Sequence, residues 1–176
     1  MSKLRKINSM PKEEKKMTIE YLKTEVKFVK MPHYVENPVN LTYSTEKAAC
    51  FDICAAVSEP VTIRGGERFA VPTAIKTAPE SPLWFRVNSR SGLAAKNGMI
   101  AIGGIIDTDY RGEWKIIMLN TNSAALDNAY TIHPGDKIAQ VELPFPYRAE
   151  FVEISAEEFE KLSTQRGAAG FGSSGR

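Results

Sequence analysis

The chain has 176 residues, of which 43% are hydrophobic and 25% charged, a composition typical of one soluble globular domain with a hydrophobic core. The formal net charge is only +2, since 23 Lys and Arg are nearly balanced by 21 Asp and Glu, so charge gives no indication of nucleic-acid binding and leaves small anions as partners. No apolar run is long enough to span a membrane and the amino end is charged, so we expect a cytoplasmic protein with no membrane partner.

Cys50 and Cys54 lie four positions apart, and neither His33 nor His133 is close to them in the sequence. A zinc site normally needs further Cys or His ligands at short spacing, so this pair gives zinc little support. We therefore predict buried free thiols.

Composition divides the chain into three parts. Residues 1–19 are rich in Lys and Glu and have too few apolar residues to bury, which predicts a mobile N-terminal extension. Residues 20–162 carry short apolar runs separated by turn residues and form the predicted β domain. Residues 163–176 contain so much glycine that we predict a flexible C-terminal arm.

Several runs alternate apolar and polar residues, as strands with one buried face do. Val26 and Phe28 alternate with Lys27, and the same pattern recurs from residue 83 to 87. Because glycines interrupt three longer strand-like segments, we predict a β-hairpin in each: residues 61–71, 99–106 and 130–143.

The one short helix is predicted late in the chain. Ser155 and Glu158 fit a capping box, and Phe159 and Leu162 can share one face of the helix. Earlier, Ser91 can cap a single helical turn that Gly98 ends, which would leave backbone amides near Ser91 and Gly92 free to meet solvent or an anion.

Asp52 is an acid inside the small, apolar run from residue 47 to 56. A carboxylate in such surroundings must find a cation or hydrogen-bond donors. It can pair with backbone donors in a bulge, or it can face a metal-bound substrate. The sequence leaves both interpretations open.

Residues 105–112 place Asp107, Asp109, Tyr110 and Arg111 directly after a predicted buried strand. Taken alone, Asp-x-Asp-x-x-Gly is most often an ordinary polar loop. A bare turn would need fewer functional groups, however, so this loop is also a candidate site for water, a sugar or a phosphate.

Together with these features, five segments resemble, in order and spacing, the five motifs of the trimeric deoxyuridine triphosphatases (dUTPases). They are ACFDI at 49–53, SRSGL at 89–93, GIIDTDYRG at 104–112, PGDKIAQ at 134–140 and the glycine-rich run from 166 to 175. The resemblance implies a distorted β jelly roll, a homotrimer with active sites at the subunit interfaces, and a carboxyl arm that completes a neighbour's site. It also implies hydrolysis of dUTP to dUMP and pyrophosphate, which would limit uracil incorporation into DNA and supply dUMP for thymidylate synthesis.

The resemblance also implies a role for each matching residue around the reacting centre. Asp107 would hold the attacking water and accept the sugar 3′-hydroxyl, so that the water is aligned on the α-phosphorus. Tyr110 would pack under the deoxyribose and reject a 2′-hydroxyl. The backbone around Gly104 would pair with the edge of the uracil.

The phosphates and the metal have their own implied partners. Asp52 would bind waters on a Mg²⁺ ion that spans the phosphates, a hard cation suited to oxygen ligands. The implied substrate-binding residues of the body are Arg90, Ser91, Gly92 and Gln140. Those of the arm are Arg166, Phe171, Gly172, Ser173 and Ser174, with Phe171 stacked on uracil.

The chain departs from the family pattern in three places. Ala169 stands where glycine is usual, Ser89 stands where proline is usual, and the segment 121–130 is longer than usual. Ala169 adopts positive φ less readily than glycine, so the arm would close less easily.

Two other functions fit the sequence less well. A dCTP deaminase has a glutamate three residues before the asparagine that closes the central motif, but counting back from Asn120 gives Ile117, which cannot move a proton. A nucleotide-sensing or protein-binding module with the same fold is the alternative of another class. The intact Asp52, Asp107, Gln140 and Phe171 argue against it.

Overall fold

The computed structural model describes residues 22–80, 83–125, 128–144 and 147–169. Within these ranges the regular secondary structure is mostly β-strand, which confirms the all-β prediction. The strands are β1 Leu22–Lys30, β2 Phe51–Cys54, β3 Val61–Ile63, β4 Arg68–Pro72, β5 Ile75–Pro79, β6 Phe85–Ser89, β7 Met99–Ile102, β8 Ile105–Ile106, β9 Lys115–Asn120, β10 Tyr130–Ile132, β11 Lys137–Glu142 and β12 Tyr147–Glu153. The predicted N-terminal extension, residues 1–19, lies outside the described residues.

Two short helices accompany the strands, α1 Ser91–Asn97 and α2 Ala156–Glu160, where the sequence predicted one helix and a single turn. In α2 the capping box of Ser155 and Glu158 is present as predicted. In α1 the prediction that Ser91 caps the turn is wrong, because Arg90 occupies the N-cap position without a side-chain cap. The predicted end is confirmed, since Gly98 closes α1 with φ 67°.

Most strands pair with partners far away in sequence. The sheet orders are β12-β1-β5, β10-β3, β2-β11-β6-β8 and β4-β9-β7. The β1–β12 pair is parallel, and the others are antiparallel. Such long-range pairing is what a jelly roll requires, since its strands alternate between packed sheets.

All three predicted hairpins are wrong in their pairing, although their strands exist. β3 pairs with β10 and β4 with β9, β7 pairs with β9 and β8 with β6, and β11 pairs with β2 and β6. The turn after β3 shows the physical reason. The amide of Gly66 donates to the carbonyl of Asn120 at 2.8 Å, and the amide of Asn120 donates to the carbonyl of Glu67 at 2.9 Å. The turn is therefore bonded to the end of β9.

The core lies between the sheets and is built from the alternating faces that the sequence predicted. Val26, Phe85 and Trp114 are all fully buried. The rings of Phe85 and Trp114 pack with centroids 4.8 Å apart. Burying a large apolar side chain contributes about 1.5–3 kcal/mol, so Trp114 firmly anchors the end of the loop at residues 107–112.

One apolar sheet surface is left partly open. On β7 and β9 the second face carries pairs that lie directly opposite each other, Ile100 with Leu119 and Ile102 with Ile117. All four are only half-buried in the single chain. We call these four residues the outer β7–β9 face.

Cys54 is buried and Cys50 only partly so, and both are free thiols, which corrects the expectation that both are buried. Burial raises the pKa of Cys54 to about 11. No helix in the described parts of the chain is long and apolar enough to cross a membrane.

Candidate active site

Asp52 projects from β2 into a cluster of cations. Its carboxylate accepts a hydrogen bond from Nζ of Lys137 at 2.7 Å and lies 3.8 Å from Nε of Arg90. The side chain is 15% exposed, so the pairing compensates for the loss of solvent. The sequence left open whether this carboxylate pairs with backbone donors in a bulge or faces a metal-bound substrate. A bulge is present in β11, opposite β2, but the Asp52 carboxylate pairs with side-chain cations and not with backbone donors.

Two further predicted site residues, Arg90 and Gln140, lie near Asp52 at the carboxyl end of β6. The guanidinium of Arg90 donates to the carbonyl of Lys137 at 2.7 Å, and Nε2 of Gln140 donates to the carbonyl of Ser89 at 3.2 Å. Ser89 also accepts a hydrogen bond from the amide of Ala101 at 2.9 Å through its hydroxyl, which a proline at this position would not do. We call Asp52, Arg90, Lys137 and Gln140 the β6 polar cluster.

Ser91 and Gly92 form the exposed beginning of α1, next to this cluster. A Cβ built on Gly92 would meet nothing within 4 Å. Packing within this chain therefore does not require glycine at position 92. The missing side chain leaves the first backbone amides of α1 open to a ligand.

Asp107 follows β8 and begins a tight turn. The amide of Tyr110 donates to the carbonyl of Asp107 at 3.1 Å, and the hydroxyl of Tyr110 donates to the carbonyl of Glu113 at 3.1 Å. The Tyr110 ring folds over Gly112, where any Cβ would overlap the ring. This loop therefore needs glycine at that position. Burial raises the pKa of Tyr110.

A cavity of about 260 Å³ opens beside this loop. Its walls include Gly103, Asp107, Tyr110 and Trp114. Gly103 adopts φ +67°, and the next residue, Gly104, is pressed against β6: its carbonyl accepts from the amide of Val87 at 2.7 Å. A Cβ on Gly104 would lie 2.6 Å from the carbonyl oxygen of Val87, so only glycine fits.

Arg166 closes one side of the cavity. Its guanidinium is hydrogen-bonded to the carboxylate of Asp107 and lies 3.6 Å from that of Asp109. It also lies over the ring of Tyr110, 5.5 Å from the centroid. The hydrogen bond to Asp107 raises the pKa of Arg166. The predicted arm residues Phe171, Gly172, Ser173 and Ser174 lie outside the described residues.

One chain does not bring all predicted site residues together. Asp52 aligns with Gln140 and Asn88 across the sheet, whereas Asp107 follows Ile106, which aligns with Phe85. With strands ~4.8 Å apart and ~3.3 Å per residue along them, Asp52 and Asp107 are on the order of 20 Å apart. The β6 polar cluster and the cavity are thus separate half-sites in this chain.

Sequence reasoning missed two contributors to these half-sites. Lys137 lies in the fourth motif segment, but its pairing with Asp52 bridges 85 positions and depends on β11 lying beside β2. Gly103 was not among the predicted site residues, yet of the two glycines at 103 and 104 it is the one that lines the cavity. The available signal was the residue type itself, because glycine permits the positive φ that Gly103 adopts.

Comparisons with known proteins point to one family. A family model described as dUTPase matches residues 37–175. A deoxyuridine 5'-triphosphate nucleotidohydrolase from Fusobacterium nucleatum is 41% identical over 136 residues, which are 76% of this chain and 88% of that protein. Another from Wolbachia pipientis is 38% identical over 157 residues, 88% of this chain and 97% of that protein.

Solved structures show the same fold. A mutant dUTPase from phage phi11 of S. aureus, described with a structural Mg(II) ion, has a TM-score of 0.59 at 19% identity, covering 76% of this chain and 98% of that one. A mutant dUTPase of Staphylococcus bacteriophage 80alpha with dUpNHpp has a TM-score of 0.58 at 22% identity, covering 86% of this chain and 98% of that one. The fold is therefore the β jelly roll of these proteins. The chain belongs to the dUTPase family.

Proposed function

We propose that Asp107 holds the water with which this dUTPase-family protein hydrolyses dUTP to dUMP and pyrophosphate. The observation that carries the proposal is an exposed carboxylate at the edge of a cavity that has Tyr110 in its wall. A carboxylate is ionised at neutral pH and accepts hydrogen bonds, so it can orient a water and take its proton. The water would attack the α-phosphorus, with pyrophosphate as the leaving group.

The cavity suits a uracil and its sugar. Gly103 and Gly104 carry no side chains, so the backbone there can approach a flat base and form hydrogen bonds with its edge. We assign the uracil edge to the backbone around Gly104. Tyr110 lies beside Asp107, where its ring can pack under deoxyribose and exclude a 2′-hydroxyl.

The phosphates are assigned to the other half-site. Arg90 contributes a guanidinium, Gln140 an amide, and Ser91 and Gly92 the open first turn of α1. These groups donate hydrogen bonds, as binding of phosphate oxygens requires. Because the two half-sites of one chain are on the order of 20 Å apart, we propose that each complete site combines the cavity of one chain with the β6 polar cluster of another.

A homotrimer accounts for this arrangement. The outer β7–β9 face presents opposite pairs of apolar side chains, Ile100 with Leu119 and Ile102 with Ile117, that are only half-buried in the single chain. Apolar side chains that stay partly accessible on one face of a sheet can be covered by another copy of the chain. We assign it to contacts between copies of the chain, close to the cavity that Ile102 and Ile117 also line.

The β6 polar cluster fits Mg²⁺ only in an indirect way. Within the described residues no group of three or more His, Cys, Asp or Glu side chains can hold a metal. Mg²⁺ commonly keeps several waters and is held by one or two carboxylates plus substrate phosphates, which matches the single carboxylate of Asp52. We propose that Asp52 binds waters of a Mg²⁺ carried by the triphosphate. When bound, the ion would neutralise charge on the phosphates.

The arm is proposed to complete the site. In the single chain Arg166 lies beside Asp107 and Asp109. We propose that it leaves them when the arm reaches a neighbour's site, where its planar guanidinium is suited to bind phosphate. Phe171 would stack on uracil, and Gly172, Ser173 and Ser174 would contact the phosphates. We also propose that the protein acts in the cytoplasm. There it would limit uracil in DNA and supply dUMP.

The other functions are less well supported. Ile117 lies on β9 in the cavity wall, and an aliphatic side chain cannot shuttle the proton that deamination of a cytosine needs. A sensing module that has lost turnover has no need for the exposed Asp107 carboxylate beside Tyr110.

A nucleotide panel tests the proposal. The purified protein is incubated with dUTP, UTP, dCTP and dTTP in the presence of Mg²⁺, and pyrophosphate and nucleoside monophosphate are measured. We expect rapid release only from dUTP. Equal turnover of UTP would contradict the role of Tyr110, and deamination of dCTP would contradict the reaction itself. Hydrolysis in ¹⁸O-labelled water should put the label in dUMP, and label in pyrophosphate would move the attack to another phosphorus.

A further inference from the structure

Glu113 lies in the wall of the cavity, directly before the buried Trp114. Its side chain is only 12% exposed. A carboxylate with so little solvent contact needs hydrogen-bond donors. The proposed function gives this side chain no role, so its own contacts must explain its position.

One oxygen of the Glu113 carboxylate joins three segments of the chain. Oε1 accepts from the amide of Ala74 at 2.9 Å, across 39 positions. The same atom lies 2.9 Å from Nε2 of His33, across 80 positions. An ionised carboxylate only accepts hydrogen bonds, so Nε2 of His33 is the donor. The cavity wall is therefore tied to the turn after β1 and to the residue directly before β5.

Ala74 shows why the carboxylate is needed there. Its φ is 55°, a left-handed conformation that a residue with a Cβ rarely adopts, and it is fully buried. Its carbonyl accepts from the amide of Met31 at 2.8 Å, so both of its backbone groups are paired. Without Glu113 the buried amide of Ala74 would lose its acceptor, which is costly for a backbone donor.

The connection continues from Glu113 to the Tyr110 ring. The amide of Trp114 donates to the carbonyl of Ile75 at 2.9 Å, and the hydroxyl of Thr73 donates to the carbonyl of Trp114 at 2.7 Å. The carbonyl of Glu113 accepts from the hydroxyl of Tyr110 at 3.1 Å. Burial first and the charge of Glu113 second raise the pKa of Tyr110, so the hydroxyl keeps its proton and remains a donor. Glu113 thus lies between an anchored backbone and the ring.

We infer that Glu113 is a positioning residue, which sets the place of the Tyr110 ring in the cavity and so sharpens the choice of deoxyribose over ribose. His33 supports it from the exposed turn after β1. The inference rests on the proposed function, in which the ring of Tyr110 excludes a 2′-hydroxyl. A residue that acts through the Tyr110 hydroxyl should have little effect on this choice once that hydroxyl is gone.

The matched pair Glu113→Gln and Glu113→Leu tests the side chain. The first keeps the size and an acceptor oxygen, whereas the second keeps the approximate size and has no acceptor. We expect the ratio of kcat/KM for dUTP over UTP to fall by roughly three- to tenfold in Glu113→Leu, the scale of one lost hydrogen bond, and to change little in Glu113→Gln. An unchanged ratio in Glu113→Leu would overturn the inference.

The decisive comparison repeats Glu113→Leu in a Tyr110→Phe background. There the ring remains but its bond to the carbonyl of residue 113 is gone, so a displaced carbonyl can no longer pull the ring out of place. We expect Glu113→Leu to have little effect on the ratio in this background. If the same loss appears in both backgrounds, Glu113 supports the fold in general and the inference is overturned.

His33 provides a second pair of variants at an exposed position. His33→Gln keeps a nitrogen donor near the position of Nε2, and His33→Leu removes it. We expect the ratio to fall by roughly two- to fivefold in His33→Leu and to stay nearly constant in His33→Gln. Since His33 is 40% exposed, this pair still decides the matter where Glu113→Leu does not fold. Equal ratios in the two His33 variants would overturn the inference.

Hydrogen exchange followed by mass spectrometry gives a readout that does not depend on turnover. The amides of Tyr110 and Trp114 donate to the carbonyls of Asp107 and Ile75. The peptide that contains residues 107–114 should exchange faster in Glu113→Leu than in Glu113→Gln, and equal rates would overturn the inference. If the unchanged protein does not hydrolyse dUTP, the proposed function fails, while the exchange rates still decide whether Glu113 holds the loop.

Discussion

The guanidinium of Arg166 is hydrogen-bonded to the carboxylate of Asp107. These side chains are 35% and 49% exposed, so the pair is solvated and contributes about 0–1 kcal/mol. An interaction this weak exchanges readily for a stronger one with a phosphate. In the proposed mechanism, arrival of a nucleotide can therefore release Arg166 from Asp107 and leave that carboxylate free to hold a water.

Replacing Asp107 by Asn should remove turnover while the nucleotide still binds. The amide keeps the size of the side chain but cannot take a proton, and loss of a general base lowers rates by about 100-fold or more. We expect kcat for dUTP to fall by at least that factor, with calorimetry of a non-hydrolysable analogue showing similar affinity. Asp109→Asn is the matched control, since its contact with Arg166 is longer at 3.6 Å. A larger loss for Asp109→Asn would reassign the water to that carboxylate.

The ring of Tyr110, more than its hydroxyl, should determine the choice of sugar. Tyr110→Phe keeps the ring over Gly112 and loses only the hydrogen bond to the Glu113 carbonyl, which has a net worth of about 1 kcal/mol. Tyr110→Ala opens the space where a 2′-hydroxyl would fit. We expect the ratio of kcat/KM for dUTP over UTP to stay high in the Phe variant and to fall in the Ala variant. An unchanged ratio in the Ala variant would place discrimination elsewhere.

The thiol of Cys54 should make stability fall in alkaline solution. Desolvation raises its pKa from 9.0 in the unfolded chain to about 11 in the folded protein. The folded state therefore keeps a proton that the unfolded state releases above pH 9. Below that pH the contribution to stability is complete, and it is lost as the pH rises toward 11. Urea unfolding between pH 8 and 10.5 should show a smaller decline for Cys54→Ala, and parallel declines would contradict this assignment.

Much of the strand content could be predicted because it depends on local patterns. The alternation of Val26 and Phe28 around Lys27 describes a strand with one buried face, and β1 has that form. Pairing could not be predicted in the same way. The amide of Gly66 bonds to Asn120, so the glycine turn marked a change of direction without showing which strands share hydrogen bonds.

The candidate site shows the same division. Asp107 and Tyr110 could be predicted as candidates because a strand end followed by several functional side chains is a local signal. The contacts that join Asp52 to Lys137 and Asp107 to Arg166 bridge 85 and 59 positions. No spacing rule relates such residues, because each contact depends on how the sheets and the chain after α2 are packed. The distance between the two half-sites is likewise a property of the sheet register.

Asp52→Asn should change the dependence on Mg²⁺. The substitution removes the negative charge that is proposed to hold the ion's waters and leaves Lys137 and Arg90 without their counter-charge. We expect the Mg²⁺ concentration for half-maximal turnover to rise by about tenfold, the effect of ~1.4 kcal/mol on binding. Glu142→Gln is the control, as its pair with Arg86 lies at the end of β11 and is partly exposed. An equal shift in both variants would mean that general surface charge is responsible.

The outer β7–β9 face gives the test of assembly. Leu119 is half-buried in the single chain and lies opposite Ile100, outside the cavity lining, so a charge there would be desolvated if another copy covers the face. Leu119→Glu should therefore dissociate the proposed trimer, as measured by light scattering coupled to size-exclusion chromatography, and should lose dUTP turnover because the half-sites separate. Arg64→Glu, in the exposed turn after β3, is the charge control and should leave the assembly intact. Circular dichroism must show β structure in both proteins. A folded Leu119→Glu monomer with full turnover would show that one chain holds a complete site, whereas loss of turnover in a folded monomer is the result that separate half-sites require.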